Sequence, residues 1–147
     1  MAQIYRILYC SRNIMPGSLE DKRKEIHRIL ANSRANNAKL GITGALLYNS
    51  GYFAQVLEGP LESVEQTFER IQRDMRHDEV AVLESVFVPE RDFPEWSMAF
   101  AGAAAEEALA CTAFSLPDTL ENPSTAATEI NALLRTLVVQ EEDYAIV

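Results

Sequence analysis

The sequence predicts an α+β fold in which two helices cover one face of a mainly antiparallel sheet. Three observations support this prediction. Runs rich in β-branched and aromatic residues, typical of strands, occupy 3–11 and 80–88. The uncharged run 40–57 has the turn signature YNSGY at its centre, which indicates two strands joined by a hairpin. Two segments with helical periodicity separate these strands, so the order of elements is β-α-β-β-α-β.

The first strand and the first helix have clear boundaries. The strand QIYRILYCS (3–11) ends before Pro16 and Gly17. Ser18 is a candidate helix N-cap, and Asp21 lies three residues later as its capping-box partner. The inward face of this helix is predicted from residues at helical spacing, namely Leu19, Ile26, Ile29, Leu30 and Ser33.

The hairpin and the second helix follow. Asn49, Ser50 and Gly51 suit the positive φ angles of a hairpin turn. The second helix begins after Pro60, and one apolar stripe is predicted from Val64, Phe68, Ile71 and Met75. The fourth strand is predicted at 80–88. A short fifth strand is predicted at 96–100, with Trp96, Met98 and Phe100 on one face.

This order is that of the ferredoxin-like sandwich, here with an added fifth strand and a C-terminal helical appendage. We expect one domain at 1–102 and a helical cap or output segment at 103–147. An apolar stripe at 126–137 should cover the open second face of the sheet; its members are Ala126, Ile130, Leu133, Leu134 and Leu137. Strands one and three should be central neighbours that run parallel, with Tyr9 and Gln55 side by side and facing the helices.

Charge and cysteine content exclude several classes of protein. The net charge is −9, and Arg135 is the only basic residue after position 100. This acidic balance argues against nucleic acid and against an anionic membrane surface as partners. Cys10 and Cys111 form neither a metal motif nor a disulfide framework, and the N-terminus has no signal-peptide pattern. A cytoplasmic protein with reduced thiols is therefore expected.

Gln55 is the residue that most needs an explanation, because it interrupts the apolar strand YFAQVL. Burying a primary amide without partners costs about 1–3 kcal/mol. A structural bridge between backbone groups would explain it, just as a helix C-cap would explain Asn36 and Asn37. Surface ion pairing would likewise explain Arg70, Asp74 and His77. No G-x-S-x-G, H-E-x-x-H, P-loop or G-x-G-x-x-G motif is present, so no enzyme class is indicated.

Five separated segments are more specific together than any of these residues alone. In order, they are LYCSR, NNAKLGITGALLY, GYFAQVLEGP, RIQRDMRH and RDFPEWSM. Together they resemble the BLUF family, the blue-light receptors that use flavin, over about residues 3–100. The chain is similar to the short BLUF proteins, which have a sensor domain and a small helical cap but no attached enzyme.

The resemblance implies a role for each matching residue. Tyr9 corresponds to the photo-oxidisable tyrosine and Gln55 to the switch glutamine. Asn37, with Asn36 beside it, corresponds to the asparagine at the pyrimidine edge of the flavin. The other implied residues are a helix-two cluster that contacts the cofactor, namely Arg70, Asp74 and His77, and a light-responsive pair on strand five, namely Trp96 and Met98.

The resemblance also implies a photocycle. An electron from Tyr9 and a proton passed through Gln55 leave the amide rearranged, and a new hydrogen bond to the flavin shifts its absorption to the red. The expected cofactor is FAD, with FMN and riboflavin as alternatives. Expected partners are a second copy of the chain and a separate regulatory protein, with no metal. The residues alone leave two alternatives open: a small hydrolase using Arg70 and Asn37, and a light-independent interaction module.

Overall fold

The structure is a computed structural model that describes residues 3–48, 52–94, 98–101, 125, 127–132 and 134–135. The predicted α+β order is confirmed. Its elements are β1 (Ile4–Asn13), α1 (Leu19–Leu40), β2 (Thr43–Tyr48), β3 (Tyr52–Gly59), α2 (Leu61–Gln72), β4 (His77–Val88) and β5 (Ala99–Ala101). The predicted turn at 49–51 lies outside the described residues.

The sheet has the strand order β4-β1-β3-β2-β5. The central neighbours β1 and β3 are antiparallel, so the expectation that they run parallel is wrong. The connection through α1 brings β2 back in the same direction as β1, and the β2–β3 pairing then reverses the chain. Since β3 enters between β1 and β2, it is antiparallel to both. The added strand β5 pairs with β2 in parallel.

The predicted juxtaposition of Tyr9 and Gln55 is confirmed, because the two residues are register partners on β1 and β3. Both side chains lie on the sheet face that packs against α1 and α2. The apolar core between the sheet and these helices includes Ile7, Ile26, Leu30, Leu46, Leu57, Val64 and Phe68.

Helix α1 begins with the predicted capping box. The Ser18 hydroxyl accepts from the Asp21 N–H, and the Asp21 carboxylate accepts from the Ser18 N–H. The helix ends at Gly41, which adopts the left-handed conformation with φ of 72°. Asn36 and Asn37 therefore lie inside the helix, and the C-cap explanation for this pair is wrong.

Three boundaries of helices and strands differ from the prediction. Helix α2 stops at Gln72 because the Asp74 carboxylate accepts the Arg76 N–H at 2.9 Å, a local turn that competes with the helix. Met75 lies in this turn and is 88% exposed, so it does not extend the apolar stripe. Strand β4 begins three residues earlier than predicted, at His77. Strand β5 begins at Ala99, so Met98 precedes it, and Trp96 lies outside the described residues.

The second face of the sheet packs against the C-terminal segment, whose described residues are helical. Ile130 and Leu134 are buried against this face, as predicted, and Ala127 joins them. The sheet contributes Leu8, Cys10, Ala45, Leu47, Ala54, Val56 and Leu83 to this core, and Phe93 packs with them. The side chains of Ala126 and Leu133, and all of Leu137, lie outside the described residues. Each face of the sheet thus has its own core, and the candidate site belongs to the face with α1 and α2.

Candidate functional site

A cavity of about 230 Å³ lies between α1, α2 and the sheet. A cavity of this volume exceeds the space that a single water needs, about 10–15 Å³ by the same kind of measure, so it can take a larger group. All seven residues that the sequence suggested for cofactor binding line this cavity, although they come from five different elements and the turn after α2. They are Tyr9, Asn36, Asn37, Gln55, Arg70, Asp74 and His77.

The cavity also has lining residues that the sequence reasoning did not single out as site residues: Ile29, Asn32, Ser33, Leu46, Phe53, Leu57, Thr67, Ile71 and Arg76. Helical periodicity could have identified several of them. Ile29, Asn32, Ser33 and Asn36 are spaced i, i+3, i+4 and i+7 along α1, so they share one face with Asn37. Thr67 and Ile71 flank Arg70 on α2 in the same way.

Tyr9 and Gln55 form the polar centre of the sheet wall. The Tyr9 hydroxyl donates to Gln55 Oε1 at 2.5 Å, and both side chains are buried. Burial raises the pKa of the Tyr9 phenol far above its ordinary value, and the nearby negative charge of Asp74 raises it further. The phenol therefore keeps its proton across the physiological pH range.

The other end of the Gln55 amide faces Met98. Nε2 donates to the Met98 sulfur at 3.4 Å, and Met98 is only 1% exposed. A thioether is a weak acceptor, and a primary amide has two N–H groups. The Gln55 amide can therefore also donate to a ligand in the cavity. The structure thus places Met98 against the glutamine.

Asn37 and Asn36 belong to the α1 wall. Asn37 is almost fully buried, and Asn36 is exposed at the rim of the cavity. A buried carboxamide can donate and accept at the same time, which suits a heterocycle edge that alternates N–H and C=O groups.

Asp74, the acidic residue of the cavity, forms an ion pair with Arg76 and not with Arg70. Arg76 binds Asp74 at 2.5 Å and Glu25 at 2.7 Å. The Arg76 guanidinium holds the pKa of the Asp74 carboxyl below its usual range. Arg70 makes no ion pair with any described residue, and the one hydrogen bond that it forms in this part of the chain is a long one of 3.4 Å to the Thr67 hydroxyl. Arg70 is thus a cation at the cavity wall without a carboxylate partner in the described part of the chain, so an ion-pair cluster does not explain it.

His77 is fixed by hydrogen bonds at both ring nitrogens. Nε2 lies 2.6 Å from the Ile71 carbonyl, which only accepts, so this nitrogen carries a proton. Nδ1 lies 2.7 Å from the Ser11 hydroxyl and forms a second hydrogen bond with it. The ring also stands edge-on to Tyr9 and Phe53. His77 therefore shapes the wall by packing, since both of its nitrogens are engaged.

These residues fit an isoalloxazine. The apolar side chains of Leu46, Phe53, Leu57 and Ile71 suit its hydrocarbon end, and the carboxamides of Asn37 and Gln55 suit its polar edge.

No helix in the described part of the chain has the length and apolarity that a membrane span requires.

Comparison with known proteins agrees with this site. Residues 4–99 match the BLUF family, described as sensors of blue light using FAD. The photoactivated adenylate cyclase subunit beta of Euglena longa is 33% identical over 135 residues, which cover 91% of this chain and 15% of that protein. The blue light- and temperature-regulated antirepressor BluF of Escherichia coli (strain K12) is 33% identical over 75 residues, or 51% of this chain and 19% of that protein. The chain thus spans less than a fifth of the length of these curated relatives.

Solved structures are similar over almost the whole chain. BlrB, a BLUF protein in its dark state, has a TM-score of 0.74 and 30% identity, covering 95% of this chain and 98% of BlrB. BlsA in its ground state has a TM-score of 0.75 and 28% identity, covering 90% of this chain and 87% of BlsA. The resemblance seen in five sequence segments is thus confirmed by the family match and by the similarity of the whole fold. The chain belongs to the BLUF family, the flavin-binding sensors of blue light.

Proposed function

We propose that this chain binds FAD in the cavity between α1 and α2 and converts blue light into a change in the hydrogen bonds of Gln55. The observation that carries the proposal is the buried chain of bonds from Tyr9 through the Gln55 amide to Met98. It joins an oxidisable phenol at the cavity wall to the residue that precedes β5. The proposed role of this chain of residues is sensing, not catalysis.

FAD is the flavin we favour. The family description names FAD. Arg70, exposed and without an ion-pair partner among the described residues, supplies positive charge at the cavity wall, and such charge favours a phosphorylated flavin over riboflavin. Asn37 and Gln55 would hold the polar ring edge, and Asn36 would contact the cofactor at the rim. His77 would pack against the cofactor, and Asp74 would position Arg76 beside it.

A bound flavin supplies the absorption of blue light and an excited state that accepts an electron. Tyr9 is the proposed electron donor. Because its neutral phenol becomes strongly acidic on oxidation, its proton moves along the 2.5 Å bond to Gln55 Oε1. The electron and the proton then return to Tyr9, and the Gln55 amide is left rotated or tautomerised, so that its donating and accepting groups have changed places. Neither volume nor net charge changes appreciably, so the two hydrogen-bond patterns differ little in energy, as a reversible switch requires.

The proposed route out of the site begins at Met98. When the Gln55 amide turns, its N–H no longer points at the Met98 sulfur, and Met98 leads directly into β5. The segment before it is tied to the C-terminal helical residues, because Asn131 Nδ2 donates to Asp92 Oδ2 at 2.8 Å. Movement at 92–98 would therefore reach the C-terminal segment, the proposed cap and output region at 103–147. This route rests on contiguity of contacts.

The partner is proposed to be a separate regulatory protein, with a second copy of the chain forming a homo-oligomer. The related adenylyl cyclases and antirepressor support a regulatory output of some kind. The cytoplasm is the proposed location, since the buried free thiol of Cys10 suits a reducing compartment.

The test is the absorption spectrum of the purified chain, before and after blue light. The protein should be yellow, or should become so on adding flavin, and its flavin band should shift reversibly to the red. FAD, FMN and riboflavin are titrated separately, and FAD should bind most tightly. A protein that takes up none of the three would refute the proposal. Equal affinity for riboflavin would refute the role of Arg70.

A further inference from the structure

Arg34 makes a contact that the site described above does not explain. Its Nε donates to the backbone carbonyl of Met98 at 3.0 Å, across 64 positions of sequence. Arg34 is half-buried on α1 and forms no ion pair with any residue in the described part of the chain. A guanidinium that donates to a backbone carbonyl makes a charge-assisted hydrogen bond, so this contact ties α1 to residue 98.

Met98 lies immediately before the β5 ladder. The register of β5 with β2 consists of Ala45–Ala99, Leu46–Phe100 and Leu47–Ala101, so the ladder begins one residue after Met98. The ladder therefore does not hold the backbone of residue 98. Among the described residues, two hydrogen bonds hold this residue: its sulfur accepts from Gln55, and its carbonyl accepts from Arg34.

We propose that Arg34 is a positioning residue that holds Met98 against the Gln55 amide. The inference rests on the proposed function of Gln55 as the switch. The weak N–H···S bond cannot alone keep a methionine in place, whereas a charge-assisted bond to its carbonyl is roughly twice as strong as a neutral one. If the backbone of Met98 moves when its sulfur leaves Gln55, the Arg34 bond lengthens or breaks. Arg34 therefore biases the balance between Met98 next to Gln55 and Met98 displaced.

The same contact connects two walls of the site. Arg34 is next to Ser33 and one turn before Asn37, both of which line the cavity. A shift of α1 caused by a ligand at Asn37 is thus passed to residue 98 without going through the sheet. The dark position of Met98 should consequently respond to flavin loading as well as to light.

The test uses full-length protein labelled with ¹³C at methionine methyl groups. The chain has only four methionines, and Met75, 88% exposed, gives an internal reference for a methyl in water. Met98→Leu assigns the Met98 signal by its disappearance. In Arg34→Leu the Met98 signal should move towards the Met75 position, with the ratio of buried to displaced Met98 falling at least tenfold. Arg23→Leu, an exposed change on the same helix, is the matched control and should leave the signal in place.

A purely structural role for Arg34 predicts something different. It would lower the stability of the Arg34→Leu variant and leave the Met98 signal unchanged, and that result would overturn the proposal. Because the contact is a single N–H···O bond, Arg34→Lys should restore most of the parent signal. If Arg34→Leu does not fold, Arg34→Gln replaces it, and an unmoved Met98 signal in that variant counts equally against the proposal.

Thermal recovery is a second readout, and the methyl spectra recorded in the dark separate this inference from the proposed function. Thermal recovery from the illuminated state should change at least fivefold in Arg34→Leu and less than twofold in Arg23→Leu; an unchanged rate contradicts the role of Arg34. The methyl spectra are recorded on flavin-free and on flavin-loaded protein in the dark, so they need no photochemistry. Failure of the Gln55 switch would leave the dependence of Met98 on Arg34 intact. A normal photocycle with Met98 unmoved would refute the positioning role alone.

Discussion

Tyr9 and Gln55 show why these residue types suit a neutral switch. The phenol donates to the oxygen of an amide, and the amide can release a proton from Nε2 as it takes one at Oε1, so a proton passed through Gln55 leaves no formal charge on its side chain. A carboxylate at position 55 could accept that proton, but it would be a buried charge, and it has no N–H for Met98. A hydroxyl donates and accepts through a single atom, whereas the amide accepts from Tyr9 at Oε1 and donates towards Met98 from Nε2.

Replacing Tyr9 with Phe removes the donor hydroxyl and hardly changes the volume. The variant should bind flavin, lose about 1 kcal/mol of unfolding free energy for the missing bond, and lose at least 99% of the yield of the red shift. The yield is measured by absorption after a calibrated light dose. Tyr5→Phe, on the same strand and face, is the control. A Tyr9→Phe yield equal to that of the parent would show that Tyr9 is not the electron donor.

Asp74 should contribute a pH-dependent part of the stability. Its pKa is lowered in the folded chain, first by the hydrogen bond from Arg76. The folded state therefore binds fewer protons than the unfolded one, so this contribution is complete above the ordinary Asp value of 3.8 and is lost as the pH falls below it. Urea unfolding between pH 6 and 3 should show a shallower acid loss in Asp74→Asn than in the parent. Glu65→Gln, exposed on α2, is the control, and identical slopes for Asp74→Asn and the parent would contradict this role.

At the scale of elements, the segment after β4 is anchored to β3 by a buried carboxylate. Glu58 is fully buried and accepts from the N–H groups of Asp92 and Phe93 at 2.9–3.0 Å. Arg6 lies 3.7 Å away and also binds Asp92 and Glu84. The Glu58 carboxylate thus orients the Asp92 side chain towards Asn131, so this anchor holds the contact between the sheet and the C-terminal segment.

Removing the anchor should be costly. Glu58→Ala leaves the N–H groups of Asp92 and Phe93 without their acceptor, whereas Arg6 keeps Asp92 and Glu84. At about 1–3 kcal/mol for each unsatisfied group, the free energy of unfolding should fall by about 2–5 kcal/mol. Glu84→Ala removes another carboxylate from the same Arg6, but a more exposed one, and should cost less than about 1 kcal/mol. Urea denaturation measures both variants. Equal costs would mean that Glu58 is not the anchor.

The boundaries of helices and strands can be predicted from the sequence where local patterns determine them. Ser18 and Asp21 mark the start of α1 because a capping box is a local interaction. The direction of β1 relative to β3 was mispredicted, since it depends on how α1 returns the chain and not on any residue within the strands. The pairings of Arg76 with Asp74 and of Arg34 with Met98 were missed because charge and spacing allow several partners for each arginine. Which partner is within reach depends on tertiary packing.

At the scale of the whole molecule, one sheet separates two cores. Tyr9 and Gln55 point to the face with α1 and α2, whereas Leu8 and Val56, adjacent to them in sequence, point to the face with the C-terminal helical residues. Alternation along a strand therefore puts Tyr9 and Gln55, the proposed light-sensing residues, on the opposite face from the surface that packs against the C-terminal helical residues. The family resemblance suggested the candidate site, and the predicted fold topology placed Tyr9 and Gln55 on the face of the sheet that packs against the helices.

This separation makes a prediction for Leu134, which is fully buried on the second face. Leu134→Ala should lower the unfolding free energy by about 2–5 kcal/mol and speed amide hydrogen exchange at 125–135. The amplitude of the red shift should stay within twofold of the parent, because the cavity is on the other face. Arg135→Ala, exposed on the next residue, is the control. Loss of the red shift in a flavin-loaded Leu134→Ala protein would show that the two faces do not act separately.

The central claim is that the Gln55 amide is the element that light rearranges. The most direct measurement is the light-minus-dark absorption spectrum of flavin-loaded Gln55→Leu beside the parent. Leucine keeps the volume of the side chain but can neither accept from Tyr9 nor donate to the flavin or to Met98. The account predicts a reversible red shift in the parent and none in Gln55→Leu at equal flavin content. A Gln55→Leu protein that shifts to the red as the parent does would contradict it.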